Sequence, residues 1–174
     1  MDIIVKTSSF ESTTGLLIAG TQSFRCTLGH SGVTIDKKEG DGKTPVGSYP
    51  LRYVLYRADR IEKPVTGLPV KPLLPSTGWC EDPAHADYNQ EITLPHASTH
   101  DAMTREDALY DVVVVIGYND APVVPFRGSA IFMHLSRPDF SPTAGCVGLP
   151  LGDLRYVLSV CDETTHITIL PPPG

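Results

Sequence analysis

The segment Ile131-Phe132-Met133-His134-Leu135-Ser136-Arg137-Pro138-Asp139-Phe140-Ser141-Pro142-Thr143-Ala144-Gly145-Cys146-Val147-Gly148-Leu149-Pro150 sets a histidine and a cysteine twelve positions apart in a loop punctuated by Pro and Gly. Ser129–Met133 is a short apolar run that predicts a buried strand delivering His134 at its end. After the loop, Leu154, Val157, Leu158 and Cys161 recur at helical spacing behind Asp153, which predicts one amphipathic helix. A thiol attacks as thiolate and is only a few per cent ionised at neutral pH, so a nearby imidazole is the usual means of activating it. Gly145 permits a sharp turn before Cys146 and the presentation of two consecutive N–H groups, from Gly145 and Cys146, to an oxyanion. The bland alternative is that Cys146 is a small buried hydrophobe and His134 a structural residue.

Outward from this segment the chain reads as strands. Ile3–Thr7, Gly15–Ala19, Gln22–Leu28, Gly47–Tyr53, Leu109–Gly117, Ala130–Leu135 and Thr165–Leu170 are rich in β-branched or aromatic residues and are bounded by turn formers. Val112–Ile116 is apolar on both faces and predicts a central strand, while His166-Ile167-Thr168-Ile169 alternates and predicts one wet face. Gly20-Thr21 predicts a tight hairpin turn. The expected fold is mainly β, a sandwich or barrel-like domain over residues 1–170 with one C-terminal helix after the cysteine, and 171–174 as a tail. From Glu62 to Ala108 the chain is rich in proline and predicts a long loop region walling a cleft. In it, Trp79-Cys80-Glu81 and Tyr88-Asn89 offer either an aromatic ligand surface or a packed loop anchored by Trp79.

At 174 residues, with 14 basic and 20 acidic side chains and a formal charge of −6, the chain suits one core and has no broad basic face for nucleic acid or anionic membrane. No stretch is apolar enough to span a membrane, and Met1–Lys6 lacks the marks of an export signal. Cys26, Cys80, Cys146 and Cys161 form no metal or disulfide pattern; Cys26 and Cys161 are expected in the core, and Cys80 is open. Gly42-Lys43-Thr44 is not a phosphate loop, because Lys37 stands where its first glycine is required and Pro45 blocks the helix start. His96 and His100, four apart, would share a metal only if their segment were helical, and no H-E-x-x-H pattern supports this.

Thr143-Ala144-Gly145-Cys146-Val147 behind a strand-borne His134 resembles the (Ser/Thr)-x-Gly-Cys-(Val/Ile) signature of YkuD-type L,D-transpeptidases. Asp41-Gly42-Lys43-Thr44-Pro45-Val46-Gly47-Ser48-Tyr49, about a hundred residues earlier, resembles the turn in the N-terminal half of that family. The resemblance implies a cofactor-free enzyme outside the inner membrane, in the periplasm. Cys146 would form a thioester with a peptidoglycan stem peptide, His134 would be its base, and an acceptor amine would resolve the thioester as a 3-3 or a 1-3 cross-link. Inhibition by carbapenems is an expectation that comes with it. His134 would be oriented by a backbone carbonyl, with Asp139 as a side-chain alternative. The chain departs from the family at Gly148, where many members carry Arg or Asn. Arg137 is then the expected carboxylate binder, with Lys43 or Arg127 next; Thr143 is a candidate partner of either the loop or the substrate, and Tyr118 and Trp79 are candidate substrate contacts. The rival readings are a cysteine endopeptidase or amidase with the same thiol, and a non-catalytic wall-binding β domain.

Overall fold

A computed structural model describes residues 1–174. In chain order the elements are β1 (Ile3–Lys6), β2 (Thr14–Ala19), β3 (Gln22–Thr27), β4 (Val33–Thr34), β5 (Thr44–Pro45), β6 (Gly47–Tyr56), β7 (Val70–Pro72), β8 (Thr77–Cys80), β9 (Glu91–Thr93), β10 (His100–Ala102), β11 (Val112–Ile116), β12 (Phe132–Leu135), β13 (Val147–Leu149), α1 (Leu151–Ser159) and β14 (His166–Ile169). The mainly β fold with one helix after the cysteine is the one expected.

The main sheet runs β11-β12-β13-β3-β2-β1-β14-β6, and a further β11–β6 pairing joins its ends into a closed barrel, with β7 added on β6. Closure is possible because β6 is ten residues long. Its first half pairs with β14 and its second half with β11. Closure leaves no end strand in this ring, with β13 meeting β3 at the single pair Gly148–Thr27. Ala19 and Gln22 face each other across the two-residue turn Gly20-Thr21, with Gly20 at φ +59, as the hairpin reading requires.

Alternation decides what enters the barrel. Ile3, Val5, Leu17, Ala19, Cys26, Met133, Leu135, Val147, Leu149, Ile167 and Ile169 pack into one core, and α1 adds Leu154, Val157 and Leu158. Each fully buried apolar side chain contributes roughly 1.5–3 kcal/mol. Cys161 lies just past the helix and is held there by its thiol, which donates to Val157 O at 3.0 Å.

The central strand is two-sided, as its continuous apolar run implies. Val112, Val114 and Ile116 face the barrel interior, while Val113 and Val115 face a second cluster with Trp79, Met103, Tyr110, Phe132 and Cys146. That cluster is roofed by a three-stranded sheet, β10-β8-β9, drawn from the proline-rich section expected to be loop. Three- and four-residue strands without alternation leave no periodic signal, which is why they were not legible. β13 escaped for a related reason: it is three residues long with Gly148 at its middle.

Ile167 has no exposure and sits on the strand that helps close the barrel, whereas Thr168 faces outward. Ile167→Ala should therefore cost about 2–5 kcal/mol in urea unfolding. Thr168→Ala should cost less than about 1 kcal/mol. Equal losses would contradict this inside–outside assignment.

Candidate active site

β12 and β13 run parallel, with Met133 opposite Val147 and His134 opposite Gly148. Met133 and Val147 point into the barrel, so the neighbouring Phe132, His134 and Cys146 share the outer face. Cys146 and His134 line one cleft of about 630 Å³. No hydrogen bond joins them. The Cys146 thiol donates to Ala130 O at 3.2 Å, and the Phe132 N–H donates to its Sγ at 3.4 Å.

The turn that presents Cys146 is tightly built. Gly145 has φ +137, and a Cβ there would lie 2.9 Å from Lys43 O, so both conformation and space exclude a side chain. Thr143 Oγ1 accepts the Gly145 N–H at 3.1 Å and donates to Cys146 O at 2.7 Å. The Thr143 backbone is laced to the segment before the second sequence motif, its N–H donating to Leu28 O at 2.9 Å and its O accepting from His30 N at 2.7 Å. The two motifs distant in sequence are therefore in contact: Lys43 backs Gly145, and the Gly29 N–H donates to Thr44 Oγ1 at 2.9 Å.

One expectation needs correcting. The Gly145 N–H is committed to Thr143, so it does not offer itself beside that of Cys146 as an oxyanion donor. The Cys146 N–H has no acceptor. Gly145 serves the turn by its conformation.

Nδ1 of His134 lies 2.8 Å from Leu135 O. A carbonyl only accepts, so Nδ1 carries the proton and Nε2 the lone pair. Asp139 is not the orienter: it is exposed and accepts the Ser141 N–H at 3.0 Å. Burial pushes the His134 imidazole down to about 4, against the smaller raising effect of its bond to Leu135 O. Burial pushes the Cys146 thiol up to about 12, with the Phe132 N–H opposing. At neutral pH the pair rests as thiol and neutral imidazole.

The other candidates divide. Arg137 lines the cleft with its side chain half exposed, and its nearest acid, Asp107 at 3.7 Å, is already held by Arg105 at 2.7 and 2.8 Å. Thr143 lines the cleft, but its hydroxyl is spent on the loop. Trp79 does not line it; the indole is buried edge-on against Phe132 at 4.9 Å, and its Nε1–H donates to Asn89 Oδ1 at 3.0 Å. Tyr118 is also turned away, its hydroxyl donating to Arg127 O and its ring packed edge-on against Tyr49. Lys43 touches the site through its backbone, and Arg127 pairs with Asp36 at 2.8 Å outside the cleft. At Gly148 a Cβ would collide with Thr27 Oγ1, so the space an Arg or Asn side chain would leave through is filled by β3.

Several contributors were not visible in the sequence. Asn89 accepts the Ala130 N–H at 3.0 Å and so fixes Ala130, at φ +55, with its carbonyl on the thiol. Tyr110 packs edge-on against His134 at 5.3 Å and donates to Asp101 at 2.9 Å. Only the fold brings such residues in, since each is remote in sequence from the strand end it supports. His96 and His100 do not come together: His100 lines the cleft, while His96 meets His85 and Asp87, whose ligand atoms lie within 4.8 Å of one another outside it. That trio is the one group able to hold a metal ion, and it is apart from the thiol.

The model of one protein family, YkuD, L,D-transpeptidase catalytic domain, matches residues 5–169. No curated protein and no solved structure matches the chain.

A thiol raised to about 12 is mostly protonated through the neutral range. Its alkylation by iodoacetamide should therefore climb about tenfold per pH unit from pH 7 to 9 without levelling. A plateau below pH 8 would mean a preformed thiolate–imidazolium pair and contradict the neutral resting state.

Proposed function

Since the chain belongs to the YkuD family of L,D-transpeptidase catalytic domains, we propose that it joins peptidoglycan stem peptides through a thioester on Cys146. The observation that carries this reading is the cleft floor, where a thiol and an imidazole with a free Nε2 stand on one face of two paired strands. The thiol attacks an amide carbonyl of the donor peptide, and His134 Nε2 takes its proton and passes it to the leaving amine. The Cys146 N–H stabilises the oxyanion. An acceptor amine then displaces the sulfur, giving a 3-3 cross-link from a donor joined at diaminopimelate, or a 1-3 cross-link from one joined at L-Ala. The reaction takes place where peptidoglycan is, in the periplasm, and needs no cofactor. A carbapenem would acylate the same sulfur.

Arg137 supports a donor with a free carboxylate. Its guanidinium lines the cleft without a two-pronged partner of its own.

Cys146→Ala should abolish cross-linked product from purified muropeptides while leaving the fold intact, and mass analysis of the wild-type product separates 3-3 from 1-3 linkage. His134→Ala should slow acylation by about 10²–10⁴-fold at pH 7. Because His134 is pushed down to about 4, the wild-type acylation rate should hold on lowering pH and fall only near that value. Arg137→Lys should raise KM for the donor and leave alkylation of Cys146 by iodoacetamide unchanged. Cross-linking by Cys146→Ala, or acylation untouched in His134→Ala, would overturn the assignment.

A further inference from the structure

Three carboxylates line the cleft: Glu39, Glu81 and Asp101. Two are engaged. Glu39 accepts from the Tyr88 and Ser129 hydroxyls, and Asp101 accepts from Tyr110. Glu81 alone makes neither a hydrogen bond nor an ion pair through its carboxylate, although it is partly buried. Its backbone is held firmly, with the N–H donating to Thr99 O at 3.0 Å. It follows β8 by one residue and Trp79 by two, and Asp101 stands opposite Trp79 in register, so the two acids are diagonal neighbours. A partly buried polar group left without a partner costs stability unless a ligand supplies one. A second orphan lies in the same cleft: Thr27 Oγ1 is fully buried and unpartnered.

The surroundings specify the ligand's charge. Glu81 faces Asp101 and Glu39, with His100 the one basic group acting on it. Burial first, then these two acids, push its carboxyl up to about 7, poised to exchange a proton near neutrality. Of the other cations that line the cleft, Lys37 is paired with Asp41 and Arg105 with Asp107, and Arg137 belongs to the β12–β13 loop, so Glu81 and Asp101, at the roofing sheet, have only His100 beside them as an unpaired basic group. A wall of carboxylates draws a cation, and the cation this reaction consumes is the ammonium form of the acceptor.

We propose that Glu81 is the acceptor's base, binding the incoming ammonium on the roofing-sheet side of the cleft and removing its proton. The inference rests on the acyl-transfer reading above. Glu81 takes one proton from R–NH3+, leaving a lone pair on nitrogen that attacks the thioester carbonyl. As the C–N bond forms and the C–S bond breaks, a second nitrogen proton passes by way of His134 to the Cys146 sulfur, which leaves as the thiol. Glu81 then releases its proton to water. The sum is thioester plus ammonium giving amide, thiol and one proton.

The test uses the full chain acylated by a disaccharide-tetrapeptide muropeptide, followed by glycinamide or by hydroxylamine as acceptor. Hydroxylamine nitrogen is already unprotonated at neutral pH and needs no base. Glu81→Gln should acylate at the wild-type rate and lose about 10²-fold in transfer to glycinamide at pH 7, while transfer to hydroxylamine stays unchanged. Unchanged transfer to glycinamide would overturn the proposal. An equal fall with both acceptors would also overturn it, because the carboxyl would then be holding the cleft rather than a proton. Failure of the wild type to acylate would instead strike the acyl-transfer reading itself.

Discussion

Parallel pairing of β12 with β13 is the constraint from which the rest of the site follows. Parallel neighbours cannot be joined by a tight turn and need a crossover of about a dozen residues. Here the crossover is residues 136–146, the loop between the histidine and the cysteine. Its length is therefore a requirement of topology. The same register that sends Met133 and Val147 into the barrel sends His134 and Cys146 out of it, so barrel packing and site geometry are one arrangement. A one-residue slip of β13 would turn Val147 and Leu149 out of the barrel and Cys146 into it.

Burial then sets the chemistry. The outer cluster that holds Trp79, Phe132 and Tyr110 also packs around Cys146, and the Tyr110 ring packs against His134, so both are largely buried. Both are driven toward their neutral forms, the thiol to about 12 and the imidazole to about 4. Such a pair does not rest as an ion pair. The proton moves when a carbonyl arrives to take the developing negative charge, which makes His134 a base used during attack and not beforehand. The neutral thiol is parked on Ala130 O, and that carbonyl is aimed by Asn89 through the Ala130 amide. Asn89 also fixes Trp79, so the buried indole of the outer cluster and the carbonyl that holds the thiol depend on one side-chain amide.

Much of this was legible in the sequence, and the rest was not, for definable reasons. The seven expected strands, the Gly20-Thr21 hairpin, the helix and the two-faced central strand all carry local signals of composition, turn formers or periodicity that survive without the fold. His134, Cys146 and Gly145 stood out because their types and spacing are unusual in a loop. The roofing sheet was hidden because its strands, Thr77–Cys80, Glu91–Thr93 and His100–Ala102, are short, carry few β-branched residues and lie in a proline-rich segment. Trp79 was open between a ligand surface and a loop anchor, and Tyr118 was a candidate contact because it follows the central strand, yet Asn89 takes the indole N–H and Tyr118 is engaged by Arg127 O and the Tyr49 ring. The role of Gly145 was read as two exposed amides, whereas Thr143 consumes one of them. The hydroxyl of Thr143 was open between loop and substrate, and its two hydrogen bonds fall within the loop.

The most direct measurement is intact-mass analysis of the protein caught within seconds of mixing with a disaccharide-tetrapeptide donor, followed by peptide mapping of the adduct. The account predicts a mass gain equal to the acyl part of the donor, carried on the peptide containing Cys146 and removable by hydroxylamine as a thioester is. An adduct on Cys26, Cys80 or Cys161, or turnover of the donor with no covalent intermediate when acylation is made faster than its resolution, would contradict it.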